Sequence, residues 1–169
     1  MSVWDDGYGI SVPRELQTTK NSISEALAGF QRTDEKPGFE IFTTKGWDYA
    51  HLCETYEKAV QLAREEHVPV LVHVQEVNQP QGHSTSGSHE RYKSADRMEW
   101  EKSYDCIERF KTWILTFDGG PSAIATEETL TAMADEAKAA VREAKNSAWK
   151  WYTEDIKKDS TSLEHLLKE

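Results

Sequence analysis

The sequence predicts an α/β domain built on a short parallel sheet, and two neighbouring segments carry most of that prediction. Residues 67–77 (HVPVLVHVQEV) are almost continuously apolar and β-branched, which is typical of a strand covered on both faces. Residues 48–66, directly before them, place apolar side chains at helical spacing after Asp48, a residue that can cap a helix. A helix that leads into a buried strand indicates a β-α-β crossover, which is the connection that builds parallel sheets.

The segments ahead of this crossover predict one short helix and one strand. Residues 21–30 carry apolar side chains at helical spacing, and Asn21 or Ser22 can accept hydrogen bonds from the first free amides of that helix. The turn-forming sequence RTDEKPG follows. Residues 39–47 (FEIFTTKGW) then alternate apolar and polar side chains, as a half-buried strand does.

The segments after the buried strand predict two helices, followed by a helical C-terminal tail. Residues 95–116 have aromatic and aliphatic side chains at helical spacing, and the sequence FDGGPS ends this helix. Residues 126–155 predict a long helix with two glutamates in its first turn, where the helix dipole favours negative charge. Small residues dominate its apolar face, which predicts close packing on another helix, and the tail after Ser160 reads as a weak or frayed helix.

Length, charge and cysteine usage limit the classes of function. The chain has 169 residues and a net charge of -10, so it can form one ordinary domain, here residues 1–117, followed by a helical extension, residues 118–169. Without a basic stripe, nucleic acid and membrane surfaces are not expected partners. No signal sequence or membrane-spanning run is visible, which predicts a cytoplasmic location. Cys53 and Cys106 have no paired spacing and are expected to be reduced, packed thiols.

The loop after the buried strand is the first candidate site. In open parallel sheets, ligands bind beyond the carboxyl ends of the strands, and the sequence QPQGHSTSGSHERY lies there. His83 follows Gly82, which permits close approach of the backbone to a ligand. Its imidazole can donate to a phosphate or transfer a proton near neutral pH. The alternative interpretation is a surface histidine that caps a turn.

Two aspartates near the N-terminus form the second candidate site. Asp5 and Asp6 precede a glycine in WDDGYG, and their oxygens suit Mg²⁺, which takes one or two carboxylates together with waters and phosphate oxygens. The same residues are also common in turns. His73, within the buried strand, is interpreted as a core residue with satisfied nitrogens. His83 and His89 match no metal-binding spacing.

Taken in order, these segments resemble the alpha subunit of the thiamine diphosphate-dependent 2-oxo acid dehydrogenases. The resemblance covers residues 3–115 most clearly and rests on DDGYGISVP, PVLVHVQEV, GHSTSGSHERYK and DCIERFKTWIL. GHSTS followed by an arginine and a tyrosine is its most specific part. These enzymes are the decarboxylating components of the pyruvate and branched-chain 2-oxo acid dehydrogenase complexes. The fold that this implies is the thiamine diphosphate-binding fold.

The resemblance implies thiamine diphosphate and Mg²⁺ as cofactors and assigns roles to matching residues. The Asp6 side chain and the Tyr8 backbone carbonyl would ligate the magnesium that holds the diphosphate. Tyr8, Ile10 and His83 would contact the cofactor. His83 would also assist transfer of the acyl group to lipoamide, and Ser84 stands where mitochondrial relatives are phosphorylated. His83 and Ser84 are therefore the catalytic candidates.

The implied reaction is oxidative decarboxylation of a 2-oxo acid with transfer of the acyl group to lipoamide. The implied partners are the remaining, beta-type pyrimidine-binding region of the dehydrogenase, a lipoyl acyltransferase component and further copies of the chain. The family's cofactor motif opens with Gly-Asp-Gly, which is absent ahead of Asp5, so the chain reads as a fragment of the diphosphate-binding domain that is inactive by itself.

Four residues depart from the family pattern. Asp5 and Asp6 stand where the family has an Asn-Asn pair, and aspartate there keeps a hard oxygen but adds negative charge beside the diphosphate. Trp4 and Gln79 replace basic residues, so the expected affinity for phosphate is lower. Two other classes remain open on the sequence. One is a transketolase-like or acetoin-cleaving thiamine enzyme, and the other is a non-catalytic assembly module.

Overall fold

The computed structural model describes residues 1–78, 80–83, 88–119 and 124–168, which fall into two compact units, Met1–Ile114 and Leu115–Glu169. The strands are β1 (Ser2–Trp4), β2 (Tyr8–Gly9), β3 (Val12–Pro13), β4 (Glu40–Lys45) and β5 (Val70–Gln75), and the helices are α1 (Arg14–Gln17), α2 (Ile23–Leu27), α3 (Tyr49–Glu65), α4 (Ala95–Ser103), α5 (Cys106–Thr116) and α6 (Glu127–Leu166). The domain boundary that the sequence predicts, after residue 117, stays a prediction, because contacts within each unit do not show what folds by itself.

A three-stranded parallel sheet forms the centre of the first unit. Its strand order is β1-β5-β4, and β5 pairs in parallel with both neighbours. This confirms the predicted α/β class with a short parallel sheet and flanking helices. β1 has three residues, too few for an alternating pattern, and the sequence did not predict it. Its position matters for function, because it leads directly into Asp5 and Asp6.

The crossover helix α3 follows the prediction closely. Asp48 is its N-cap and accepts a hydrogen bond from the His51 amide. Ala59, on its inner face, is buried together with Val72 and Val74 of β5, and these three side chains form one buried apolar cluster. β5 is covered on both faces as predicted, because four consecutive residues from Leu71 are buried.

The segment between β1 and α2 makes a compact turn beside the sheet. β2 and β3 form a two-stranded antiparallel hairpin, in which Ile10 has a φ of 61°. Of the two candidate caps for α2, Ser22 is the one that accepts a hydrogen bond from the Glu25 amide. The predicted helix over residues 21–30 is thus shorter than expected and continues as a 3₁₀ turn, Ala28–Phe30.

The helices after β5 differ from the prediction in two places. The single helix predicted over residues 95–116 is two helices, because the Asp105 side chain accepts the amides of Ile107 and Glu108 and so caps a new helix at that point. α6 continues to Leu166, well past the predicted end, with alternating acidic and basic side chains that form i,i+3 and i,i+4 ion pairs.

The structure tests one of two expectations about packing. No described side chain of α6 is buried within this chain, and the close packing on another helix that its small residues permit stays a prediction. Both cysteines are free, as expected, but Cys53 is exposed rather than packed, and Cys106 is half-buried. Among the described residues, no helix combines the length and the apolar character that a membrane span needs.

The Glu76 side chain, directly after β5, forms hydrogen bonds with residues at the carboxyl end of the neighbouring strand β4. The Lys45 ammonium and the Trp47 indole, at the end of β4, both donate to Glu76, and the Trp47 Nε1 lies 2.7 Å from Oε2. Burial alone would raise the pKa of Glu76, but these two hydrogen bonds outweigh it, so the pKa lies below the ordinary 4.5.

This lowered pKa predicts an acid-dependent loss of stability. The folded chain holds Glu76 ionised more firmly than the unfolded chain, so the contribution is complete above about pH 4.5 and is lost as the pH falls through the lower, folded pKa. We expect Glu76→Gln to reduce the free energy of unfolding most at about pH 6 and least at about pH 3. Urea unfolding at several pH values measures this, with Glu35→Gln in an exposed turn as the control. An effect of Glu76→Gln that does not vary with pH would contradict the assignment.

Candidate functional site

Two consecutive aspartates turn the chain at the carboxyl end of β1. The Asp5 amide donates to the Val74 carbonyl at 2.8 Å and extends the pairing of β1 with β5. Asp5 Oδ1 then accepts from the Gly7 amide at 2.8 Å, and Asp6 Oδ1 accepts from the Tyr8 amide at 3.0 Å. Gly7 has a φ of 84°, which a residue with a side chain rarely adopts. The two aspartates therefore act in this turn, as their alternative interpretation predicted, and a binding role would be additional.

The structure brings the two candidate sites together. His83 Nε2 lies 2.6 Å from Asp6 Oδ2, although the two residues are 77 positions apart in the chain. Both side chains are about a quarter exposed, 28% for His83 and 25% for Asp6. This contact follows from the parallel sheet, because β1 and β5 are neighbours and their carboxyl ends lie on the same edge.

Tyr8 lies beneath two cations. The Arg97 guanidinium is 5.4 Å from the centre of the Tyr8 ring, the Lys93 ammonium is 5.6 Å from it, and the Tyr92 ring is 5.7 Å away. Burial raises the pKa of Tyr8 above its ordinary value of 10.0, although Arg97 opposes this change. These contacts stabilise the position of Tyr8 at the end of the turn. The metal-binding role of the Tyr8 carbonyl stays a prediction.

The structure gives less information on the other two predicted site residues, Ile10 and Ser84. Ile10 is 67% exposed, and its contact with a cofactor stays a prediction. Ser84, the second catalytic candidate, lies outside the described residues. Of the predicted set, the structure thus brings Asp6 and His83 into direct contact, with Tyr8 adjacent.

A buried ionic cluster supports the turn from the side of α4, and the sequence did not predict it. Glu101 binds Lys93 Nζ at 2.7 Å and Arg97 Nε at 2.8 Å. The Arg97 guanidinium also donates to the Asp6 backbone carbonyl at 3.1 Å. The i,i+4 spacing of Arg97 and Glu101 was a signal for the ion pair, but it does not reveal that Glu101 is 2% exposed.

The side chains at this edge of the sheet suit a metal ion that is bound partly by the protein and partly by a phosphate ligand. In the described part of the chain, no cluster of three or more His, Cys, Asp or Glu side chains could hold a metal by itself. Asp6 offers a partly exposed carboxylate, and Mg²⁺ is commonly bound by one or two carboxylates with phosphate oxygens completing its coordination. The residues present therefore fit a magnesium ion that arrives with a diphosphate, and they do not fit a closed zinc-type site.

Comparison with known proteins gives one finding. A protein-family model described as "Dehydrogenase E1 component" matches residues 2–157, a range that includes the turn at Asp6, the loop at His83 and most of α6. No curated protein and no solved structure matches the chain.

Proposed function

The chain belongs to the dehydrogenase E1 component family, whose members are thiamine diphosphate-dependent 2-oxo acid dehydrogenase components, and from this premise we propose that it binds the diphosphate side of that cofactor. In this proposal Asp6 and the Tyr8 carbonyl hold Mg²⁺, and the magnesium holds the diphosphate. His83 faces the same site from the loop after β5. Ile10 contributes a contact to the cofactor.

One observation carries this proposal, namely the contact between Asp6 and His83. A turn after β1 and a loop after β5 supply a carboxylate and an imidazole within 2.6 Å of each other at the carboxyl edge of a parallel sheet. That edge is where ligands bind in open α/β sheets. The family match makes thiamine diphosphate the ligand that this arrangement is expected to serve.

The chain's own residues would bind and orient while the cofactor supplies the reactive carbon that cleaves 2-oxo acids. Asp6 provides a hard oxygen ligand, and Arg97 fixes the Asp6 backbone through its carbonyl. His83 can donate or accept a proton at Nε2 once a ligand separates it from Asp6. The hypothesis for His83 is that this proton transfer assists delivery of the acyl group to lipoamide.

The substrate and partners of the complete enzyme follow as parts of the same proposal. The substrate class is a 2-oxo acid, either pyruvate or a branched-chain acid, and the acceptor is lipoamide on an acyltransferase component. A beta-type region binds the pyrimidine ring and completes the active site, and further copies of the chain assemble with it. We therefore expect no decarboxylation by this chain alone.

Calorimetric titration of the 169-residue chain tests the proposal. We expect saturable binding of thiamine diphosphate in the presence of Mg²⁺, and little binding when EDTA removes the metal, because the metal joins the diphosphate to Asp6. Thiamine without its diphosphate is the matched control and should not bind. Equal binding of both compounds, or binding that ignores Mg²⁺, would contradict the proposed site. No binding of either would contradict the proposal for this chain and indicate that the Gly-Asp-Gly part of the family's motif is indispensable for holding the cofactor.

A further inference from the structure

A chain of hydrogen bonds runs through the interior next to the site and ends at Asp5. His73, in the middle of β5, is fully buried, and both of its ring nitrogens have partners. Nε2 lies 3.1 Å from Asp5 Oδ2, and Nδ1 lies 3.0 Å from Ser24 Oγ. Ser24 in turn lies 3.1 Å from the Ser22 hydroxyl, which caps α2. This confirms the interpretation of His73 as a core residue with satisfied nitrogens.

The direction of the hydrogen bond from His73 follows from the other partners of Asp5. Oδ2 accepts from the Arg14 guanidinium at 3.0 Å in an ion pair, and Oδ1 accepts from the Gly7 amide at 2.8 Å, so both carboxylate oxygens act as acceptors. An ionised carboxylate accepts hydrogen bonds and does not donate them. His73 Nε2 therefore carries a hydrogen and donates it to Asp5.

Asp5 connects three parts of the fold through one carboxylate. Oδ2 accepts from His73 in the sheet at 3.1 Å and from Arg14 Nη1 in α1 at 3.0 Å, while Oδ1 accepts a hydrogen bond from the Gly7 amide at 2.8 Å. The Asp5 side chain is 10% exposed, whereas that of Asp6 is 25% exposed. The adjacent aspartates thus differ in surroundings, since Asp5 faces the interior and Asp6 faces the ligand site.

We propose that His73 is a positioning residue that acts through Asp5 to hold residues 5–8 in the conformation in which Asp6 binds its ligand. This inference rests on the proposed function and deepens it. The physical basis is that a buried donor with fixed geometry orients the carboxylate that forms the turn. Partners that orient a binding residue in this indirect way commonly change affinity by roughly 10- to 100-fold when removed.

Two substitutions of the same side chain separate this role from a general contribution to packing. In His73→Gln the side-chain amide reaches about as far as Nε2 and keeps a donor towards Asp5. In His73→Asn the shorter amide replaces Nδ1, which faces Ser24, and leaves Asp5 without this donor. Each variant removes one hydrogen bond from a buried site, so a purely structural role predicts similar effects for both.

Hydrogen exchange in the ligand-free 169-residue chain is the first measurement. We expect His73→Asn to accelerate exchange of the Gly7 and Tyr8 amides roughly tenfold or more, and His73→Gln to change it by less than about threefold. With Mg²⁺ and thiamine diphosphate, we expect the dissociation constant of His73→Asn to rise roughly tenfold, with His73→Gln close to the wild type. Equal acceleration in both variants would overturn the positioning role.

The two proposals can fail separately. If the wild-type chain does not bind the cofactor, the proposed function fails, while the exchange rates of the ligand-free chain still decide the role of His73. If His73→Asn does not fold, nitrogen-15 spectra of the wild-type imidazole decide it instead. A slowly exchanging proton on Nε2 is expected there, and a ring protonated on Nδ1 alone would overturn the inference.

Discussion

Asp6→Ala is expected to abolish magnesium-dependent binding of thiamine diphosphate, with a loss of affinity of about 100-fold or more. The reason is that Asp6 offers the partly exposed carboxylate at this edge of the sheet, and Mg²⁺ binds through hard oxygen ligands. A loss of about 100-fold corresponds to about 2.8 kcal/mol of binding free energy. Calorimetric titration with the cofactor at a fixed Mg²⁺ concentration measures it.

Two further variants define what this result means. Asp34→Ala removes the same charge from an exposed turn and should bind like the wild type. Asp6→Asn retains an oxygen ligand and restores the family's usual residue, so its affinity should exceed that of Asp6→Ala. If Asp6→Ala binds as tightly as Asp34→Ala, Asp6 is not the metal ligand, and its carboxylate serves the turn and the contact with His83 alone.

The second large effect is expected from the ionic cluster on α4. Glu101→Gln removes the carboxylate that neutralises Lys93 and Arg97 in a site where the Lys93 and Glu101 side chains are each 3% exposed. Removing one member of a buried ion pair typically costs about 3–5 kcal/mol, because the opposite charge remains in a site of low dielectric. We expect a loss of about 3 kcal/mol in the free energy of unfolding, measured with urea.

A control on the same helix makes this prediction specific. Glu99 pairs with Lys102 at 4.0 Å, and both side chains are more than 70% exposed. We expect Glu99→Gln to change the free energy of unfolding by less than about 0.5 kcal/mol, as exposed ion pairs usually do. A similar, small effect of both substitutions would show that Lys93 and Arg97 tolerate the loss of Glu101, and that the cluster contributes little to holding the turn.

The sequence predicted the parts of the fold that have a strong periodic pattern. α3 and β5 are long or continuously apolar, and both lie where they were predicted. β1 was missed because three residues carry no period, and the break between α4 and α5 was missed because Asp105 interrupts an otherwise helical pattern. Pairing with β5, a tertiary contact, decides β1, whereas a local cap at Asp105 decides the break, and the spacing of apolar residues reveals neither.

The sequence predicted individual residues of the candidate site but not the contacts between them. Asp6 and His83 were found separately, and the rule for strand ends explains why they meet. His73 was correctly interpreted as a core residue, but its partner Asp5 could not be inferred, because a pattern of residues along one strand does not show which side chain of a neighbouring strand it faces. The burial of Glu101 was hidden because the i,i+4 spacing on α4 indicates an ion pair but does not show whether that part of the helix is covered.

The opposite surroundings of the two adjacent aspartates constrain the spacing of this segment as well as its composition. Asp5 Oδ2 lies against His73 of the sheet and its side chain is 10% exposed, whereas Asp6 Oδ2 lies against His83 and its side chain is 25% exposed. One residue inserted between Trp4 and Asp5 would move Asp5 into the place of Asp6, and Asp6 into the place of Gly7. Both carboxylates would then lose their present partners although both aspartates remain in the sequence, so this segment depends on its length as much as on its residues.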